Sequence, residues 1–208
     1  MKIAILLDGA FVRKKFKKMY RRNIQAEDVQ LLSQNILKRL NINPNDSYRV
    51  YFYDCLPCEE KSSLPISNRA FNFKQTPQFA QNTQLLKNIE KLPFFALRTG
   101  QLSFCGWRLK KQSYKKQETY TDDDFEPELQ QKGVDIKIGL DMAWASYNNI
   151  TEKIVLLTAD SDFIPAIKTA RRCGIFVYLF TLKHTVKIGL IENTDFFITE
   201  DIQTLLNN

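Results

Sequence analysis

Histidine is nearly missing from this sequence, His184 being the only one in 208 residues. Any Ser-His-Asp or Cys-His relay would have to pass through it. No nucleophile-elbow pattern lies near it, so hydrolysis by an activated side-chain nucleophile is disfavoured. Cysteine is scarce too. Cys55, Cys58, Cys105 and Cys173 include one Cys-x-x-Cys pair, without the second close pair that a four-sulfur zinc site needs. Pro57, Glu59 and Glu60 around that pair do not read as the helix that a redox Cys-x-x-Cys opens, which leaves reduced structural thiols. No apolar run reaches the roughly 18 residues of a membrane span, and the first residues enter a strand pattern instead of a leader. The expectation is a cytoplasmic chain with no membrane contact.

Hydrophobic residues make up 44% of the chain and aromatics 12%, enough for a substantial core. The formal net charge is +7, with an isoelectric point near 9.2. That balance favours nucleic acid or another polyanion as partner, with plain solubility as the competing explanation.

The stretch Lys153–Pro165 organises the rest. Ile154–Leu157 is a short β-branched apolar run, suited to a strand buried on both faces. Thr158, Asp160, Ser161 and Asp162 follow it, and Phe163–Cys173 then shows helical spacing with Pro165 in the first turn. Two carboxylates thus sit at a strand-to-helix switch, where open α/β sheets bind ligands. Helix capping by Asp160 and Asp162 explains the same residues about equally well.

Lys2–Leu7 is a second buried run, ending at Asp8-Gly9, and a helix over Ala10–Tyr20 follows with Arg13, Lys14, Lys15, Lys17 and Lys18. That basic face is either solvated or a phosphate contact surface. A helix over Ala26–Leu40, a strand over Tyr48–Tyr53 ending in Asp54, and a helix near Gln78–Lys91 are predicted next. Phe94–Phe104 reads as a strand with Trp107–Tyr114 pairing back on it, and Asp122–Glu128 as an acidic loop. A helix over Val134–Tyr147 is expected to pack through Ala143 and Trp144, with Asp135 in its first turn and Asp141 about 120° further round. A strand over Ile175–Phe180, a short one over Asp195–Ile198 and a last helix capped by Thr199 complete the pattern. The order predicts a three-layer α/β/α sandwich with a mainly parallel central sheet. A single domain spans 1–208, with polar insertions near 56–77 and 105–128.

If the strands run parallel, Asp8, Asp160 and Asp162 converge on one edge, and Asp135 is available from a helix start. Two like charges ~4 Å apart repel by about 4 kcal/mol at an effective dielectric near 20, so a cation or protonation must offset them. Carboxylate oxygens without imidazole or thiolate favour Mg²⁺ or Mn²⁺ over zinc. Such a centre activates water and stabilises in-line phosphoryl transfer.

Three motifs make the pattern specific: Ile5-Leu6-Leu7-Asp8-Gly9, Lys132-Gly133-Val134-Asp135-Ile136 with Asp141-Met142, and Thr158-Ala159-Asp160-Ser161-Asp162-Phe163-Ile164-Pro165. Together they resemble the NYN domain, LabA-like branch, of the PIN-like nuclease superfamily, over roughly Lys2 to Phe180. The resemblance implies a PIN-like fold and metal-dependent cleavage of RNA. It assigns Asp8, Asp135, Asp160 and Asp162 to catalysis and metal binding, with Asp141, Asp54 and Ser161 as supporting candidates. Ala10 and Phe11 stand where many relatives carry Asn, and Ala159 where Gly is common.

Trp107, Arg108, Lys110, Lys111, Tyr114, Lys115 and Lys116 interleave rings with cations, a pattern that suits single-stranded nucleic acid. With Lys14 and Lys15 they form the candidate RNA surface, and the 105–128 insertion the candidate flap over Asp8 and Asp160. A Lys-guarded edge strand, with Trp107 closing a satellite core, is the competing explanation. A non-catalytic RNA-binding module on the same fold is the alternative function. A phosphatase is disfavoured because Asp8-Gly9-Ala10 lacks a second Asp two positions on. The sequence leaves a homodimer open.

Overall fold

A computed structural model of the protein describes residues 2–115 and 119–207, so Lys116 of the candidate RNA surface lies outside the described residues. The chain begins with β1 (Ile3–Asp8), whose first five side chains are buried. Ile3, Ile5 and Leu7 enter one core layer, while Ala4 and Leu6 enter the other, so an uninterrupted apolar run becomes a central strand. Each large side chain buried this way contributes roughly 1.5–3 kcal/mol. Helices α1 (Gly9–Tyr20) and α2 (Ala26–Arg39) lead to β2 (Ser47–Leu56), and a small hairpin of β3 (Lys61–Ser63) and β4 (Ala70–Asn72) leads to α3 (Pro77–Glu90).

The long strand β5 (Phe95–Leu109) then turns back through β6 (Phe125–Lys132) into α4 (Val134–Tyr147). The remainder runs β7 (Lys153–Leu157), α5 (Ile164–Arg172), β8 (Phe176–Phe180), α6 (Ile188–Glu192), β9 (Phe196–Ile198) and α7 (Ile202–Leu206). Seven strands form one sheet in the order β6-β5-β2-β1-β7-β8-β9. Every neighbouring pair in it is parallel except β5 with β6. Residues of α1, α2, α3 and α7 cover one face and residues of α4, α5 and α6 the other, which makes the three-layer α/β/α sandwich. Among the described residues no helix is long and apolar enough to cross a membrane.

Several sequence expectations shift here. The strand that pairs back on β5 is Phe125–Lys132, not Trp107–Tyr114, and only Asp122–Asp124 of the acidic stretch stays outside it as a turn. Trp107 instead continues β5, whose 15 residues outrun β2: pairing with β2 ends at Gln101, and the ribbon beyond it extends about 26 Å at 3.3 Å per residue. Helix α4 packs through Val134, Ile138, Met142 and Ala145, leaving Trp144 48% exposed. Its apolar residues lie on every side, so periodicity could not select the buried one. The last helix is capped by Asp201, whose Oδ1 accepts the Thr204 N–H at 2.7 Å, not by Thr199.

The described parts of the two insertions are not free loops. Phe71 and Phe104 meet Trp107 edge-on at 5.1 and 5.4 Å between centroids, and Phe73 joins both phenylalanines. Trp107 Nε1 donates to the Ser63 carbonyl at 2.8 Å, and the Phe104 N–H donates to Glu60 Oε1 at 3.0 Å. Asp122 Oδ1 accepts the N–H groups of Ile66 and Ser67. The β3/β4 hairpin is thereby fastened to the ribbon around its own aromatic core. Trp107 spends its ring on that core, as the satellite-core explanation requires.

Candidate active site

Strand order places β1 between β2 and β7, so the chain leaves β1 toward one side of the sheet and later returns on the other. A crevice at such a switch point is where open α/β sheets place ligands. Asp8 is the last residue of β1, paired with Tyr53, and Leu7 pairs with Leu157. The residues just beyond those partners are Asp54 and Thr158. Asp8 N-caps α1, its Oδ1 accepting the Phe11 N–H at 3.1 Å. Its Oδ2 accepts a 3.0 Å hydrogen bond from the Thr158 hydroxyl, a side chain with no exposed surface. Gly9 is required here because a Cβ would stand 2.5 Å from the Tyr53 carbonyl and 2.8 Å from the Phe52 ring. Only glycine lets α1 start this close to β2.

After β7, Asp160 caps a short 3₁₀ turn, with Oδ1 accepting the Asp162 N–H at 2.9 Å. The capping explanation therefore holds for one oxygen of Asp160. It does not extend to Asp162, which is exposed and makes no side-chain hydrogen bond among the described residues. Ser161 is half-buried between them.

Asp135 arrives from the opposite side. Strand β6 runs against its neighbours, so its end, Lys132 beside Gln101, lies at the edge where β2 finishes, and α4 opens there. Gly100 permits the approach, since a Cβ on it would overlap the Lys132 carbonyl. Burial raises the Asp135 carboxyl above its ordinary value, and the charges of Asp160 and Asp162 add to the rise. Burial likewise raises Asp8, opposed by the hydrogen bonds from Phe11 and Thr158 and reinforced by Asp135 and Asp54. Asp8, Asp135, Asp160 and Asp162 thus belong to one electrostatic neighbourhood, and none is paired with Lys or Arg among the described residues.

Among the described residues no three His, Cys, Asp or Glu side chains stand close enough to form a preassembled metal cage. The donor set still suits a hard divalent ion. Mg²⁺ keeps several waters and is bound through one or two carboxylates plus substrate phosphate, so a complete protein cage is not expected for it. The unopposed carboxylates and the raised Asp8 and Asp135 values are what such an ion would relieve.

Two supporting candidates lie elsewhere in their contacts. Asp141 accepts hydrogen bonds from the Tyr53 hydroxyl at 2.9 Å and Arg98 Nε at 3.0 Å, locking α4 to β2 and β5 two turns away from Asp135. Asp54 is buried and receives Arg13 Nη1 at 2.7 Å. Lys14 and Lys15 stay on the surface of α1; burial, Lys18 and Lys14 pull the Lys15 ammonium below its ordinary value. Along the ribbon, Arg108 is paired with Glu126 and Lys110 donates to the Asp123 carbonyl. Lys111, Lys115 and Tyr114 remain exposed, Tyr114 at 64%. Sequence reasoning missed that Thr158 holds Asp8, named Arg13 only within the basic face of its helix, and passed over Asn82. A hydroxyl directly after a buried strand and two residues before Asp160 was the available signal for Thr158.

A mainly parallel α/β/α sheet with carboxylates at its switch point agrees with a PIN-like fold. The NYN domain profile matches residues 72–203, more than half of the chain, and the chain belongs to the NYN domain family. The matched stretch includes Asp135, Asp160 and Asp162, while Asp8 and Asp54 lie before it. A protein of unknown function from Vibrio parahaemolyticus RIMD 2210633, VPA0982, shares the fold at a TM-score of 0.51 and 16% identity, covering 96% of this chain and 93% of its own. A structure reported under the heading Structural Basis for the Mechanism and Regulation of Sir2 Enzymes aligns at 10% identity and a TM-score of 0.38, over 99% of this chain and 89% of its own, which is too distant to carry an argument. No curated protein matches the chain.

Proposed function

We propose that this protein is a ribonuclease of the LabA-like branch that hydrolyses phosphodiester bonds of single-stranded RNA with Mg²⁺ or Mn²⁺ at the carboxyl edge of its sheet. The observation that carries this reading is the contrast at that edge: four carboxylates without a cationic partner among the described residues, beside a helix crowded with Lys and Arg. A divalent ion, when bound, supplies a Lewis acid for the phosphoryl oxygen and a more acidic water. Asp8 and Asp160 are the residues that would hold it. Asp135 offers the attacking water a carboxylate with no hydrogen-bond partner among the described residues, and its raised proton affinity makes it a better base than an ordinary Asp. Thr158 fixes the Asp8 rotamer, and Lys14 with Lys15 draws in phosphates. Four unpaired cysteines fit the cytoplasm as its setting.

The test is incubation of labelled single-stranded RNA with and without EDTA. Metal-dependent cleavage that disappears in Asp160→Asn supports the reading; cleavage persisting in both EDTA and Asp160→Asn refutes it. A non-catalytic RNA-binding module is the second reading, favoured by Ala10 and Phe11 standing where many relatives carry Asn. It predicts unchanged RNA affinity in Asp160→Asn and no cleavage in any divalent ion.

A further inference from the structure

Beside the acidic edge, between α1 and α3, lies a cavity of about 310 Å³ whose wall includes Arg13, Lys14, Lys17, Gln81 and Asn82, with Asp54 as its single carboxylate. That carboxylate is already spoken for. Its Oδ2 accepts Arg13 Nη1 at 2.7 Å and its Oδ1 accepts the Cys55 N–H at 2.8 Å, with the side chain only 2% exposed. Arg13 Nη2 donates to Asn82 Oδ1 at 2.6 Å. Guanidinium can only donate, so this contact fixes the Asn82 amide: its oxygen turns to Arg13 and its NH₂ group turns away.

No described residue accepts from that NH₂ group, nor from the ammonium groups of Lys14 and Lys17. Asn23 Nδ2 donates to Gln81 Oε1 at 2.6 Å, which likewise leaves the Gln81 NH₂ group unused. The wall therefore presents N–H donors and positive charge. Burying an ion pair seldom stabilises a fold by itself, so a pinned Arg13 at the base of an open cavity calls for another explanation. Position supplies one. Asp54 is the residue after Tyr53, the strand partner of Asp8, and its charge is felt by Asp8. An anion held here lies next to the acidic edge without competing for it.

We propose that this cavity is a phosphate subsite, seating one phosphodiester group of the RNA strand adjacent to the bond to be cut through Lys14, Lys17 and the Asn82 amide. The inference rests on RNA being the substrate, as read above. Arg13 acts as a positioning residue that orients Asn82.

The test measures binding of fluorescein-labelled oligouridylate by anisotropy in EDTA over a salt series. The proteins are wild type, Lys14→Ala/Lys17→Ala, Asn82→Asp, and Lys168→Ala on α5 of the opposite layer as control. Each lost phosphate contact should flatten the slope of log affinity against log salt by about 0.7 on a single strand, so the double variant should lose about 1.4. Asn82→Asp still accepts from Arg13 but replaces two donors with a negative charge, and should bind at least tenfold more weakly with an unchanged melting temperature. Lys168→Ala should match wild type. Wild-type affinity and slope in both cavity variants would overturn the subsite, and EDTA-sensitive cleavage by the same proteins would show that the ribonuclease reading survives it. Weakened binding without cleavage in Mn²⁺ would keep the subsite and remove the nuclease. No oligouridylate binding by wild type would overturn the subsite outright.

Discussion

The hydroxyl of Thr158 donates to Oδ2 of Asp8 at 3.0 Å across 150 residues of sequence. This bond joins the ends of β1 and β7 at the switch point and sets which way the Asp8 carboxylate faces. If Asp8 holds the metal as proposed, a partner of this kind commonly carries a 10–100-fold effect on metal affinity or activity when removed. Thr158→Val keeps the shape and deletes the hydroxyl. Metal-dependent RNA cleavage should fall about tenfold in kcat with KM little changed. Steady-state kinetics on one oligonucleotide would check this, and an equal loss through KM would place Thr158 in binding instead.

Asp8 makes stability depend on pH in a stated direction. Burial, with Asp135 and Asp54, raises its folded value above the ordinary carboxylate value of 3.8. The folded chain therefore binds its proton more tightly than the unfolded chain does. The resulting stability is fully present below 3.8 and is lost as pH rises through the folded value. Asp8→Asn keeps an N-cap acceptor and removes the charge. In EDTA it should melt higher than wild type at neutral pH, with the difference shrinking toward about pH 4. Mn²⁺ should raise the wild-type melting temperature and leave the variant unmoved. Differential scanning fluorimetry across pH would measure both.

Trp107 and Tyr114 should separate cleanly. Trp107 is held among Phe71, Phe73 and Phe104, so Trp107→Ala should cost stability, about 2–4 kcal/mol for a partly buried large side chain, with little change in RNA affinity once folded. Tyr114 is exposed at the end of the ribbon, and Tyr114→Ala should leave stability unchanged while weakening RNA binding by the roughly 1–3 kcal/mol of one stacked base. Chemical denaturation paired with anisotropy titrations decides both. A Trp107→Ala protein of wild-type stability would contradict the packed arrangement.

Asp141 is expected to act on stability alone. Asp141→Ala strands the buried Tyr53 hydroxyl and the Arg98 guanidinium, whose charge is held up by hydrogen bonding to Asp141. Leaving a buried polar group unmade costs about 1–3 kcal/mol. The metal dependence of cleavage should match wild type when assayed below the melting transition. A shifted Mn²⁺ requirement would instead tie Asp141 to the acidic edge.

Particular elements show where sequence reasoning succeeded and where it ended. Ile3–Leu7 and Ile154–Leu157 announce buried strands because their apolar run is uninterrupted, and each is followed at once by the acids at the edge. The β5/β6 ribbon was misread. Phe125, Pro127 and Leu129 do alternate with Glu126, Glu128 and Gln130, but the acids and Pro127 read as a loop on a strand largely exposed to water, and its pairing is decided by β5 rather than by its own residues. The α4 helix was recognised but its packed side was not, because a helix apolar on all sides carries no phase.

The sequence by itself determined the α/β class, the central strands and the acids that end them, since burial period, β-branching and capping residues act over a few neighbouring positions. Only the tertiary structure decided which charges meet. Asp8 faces Thr158, Asp135 comes under the charges of Asp160 and Asp162, Asp54 turns to Arg13, and Trp107 turns into an aromatic core. These interactions join residues from 25 to 150 positions apart. They follow from strand order and register, which depend on the packing of the whole sheet and leave no periodic trace in any one segment.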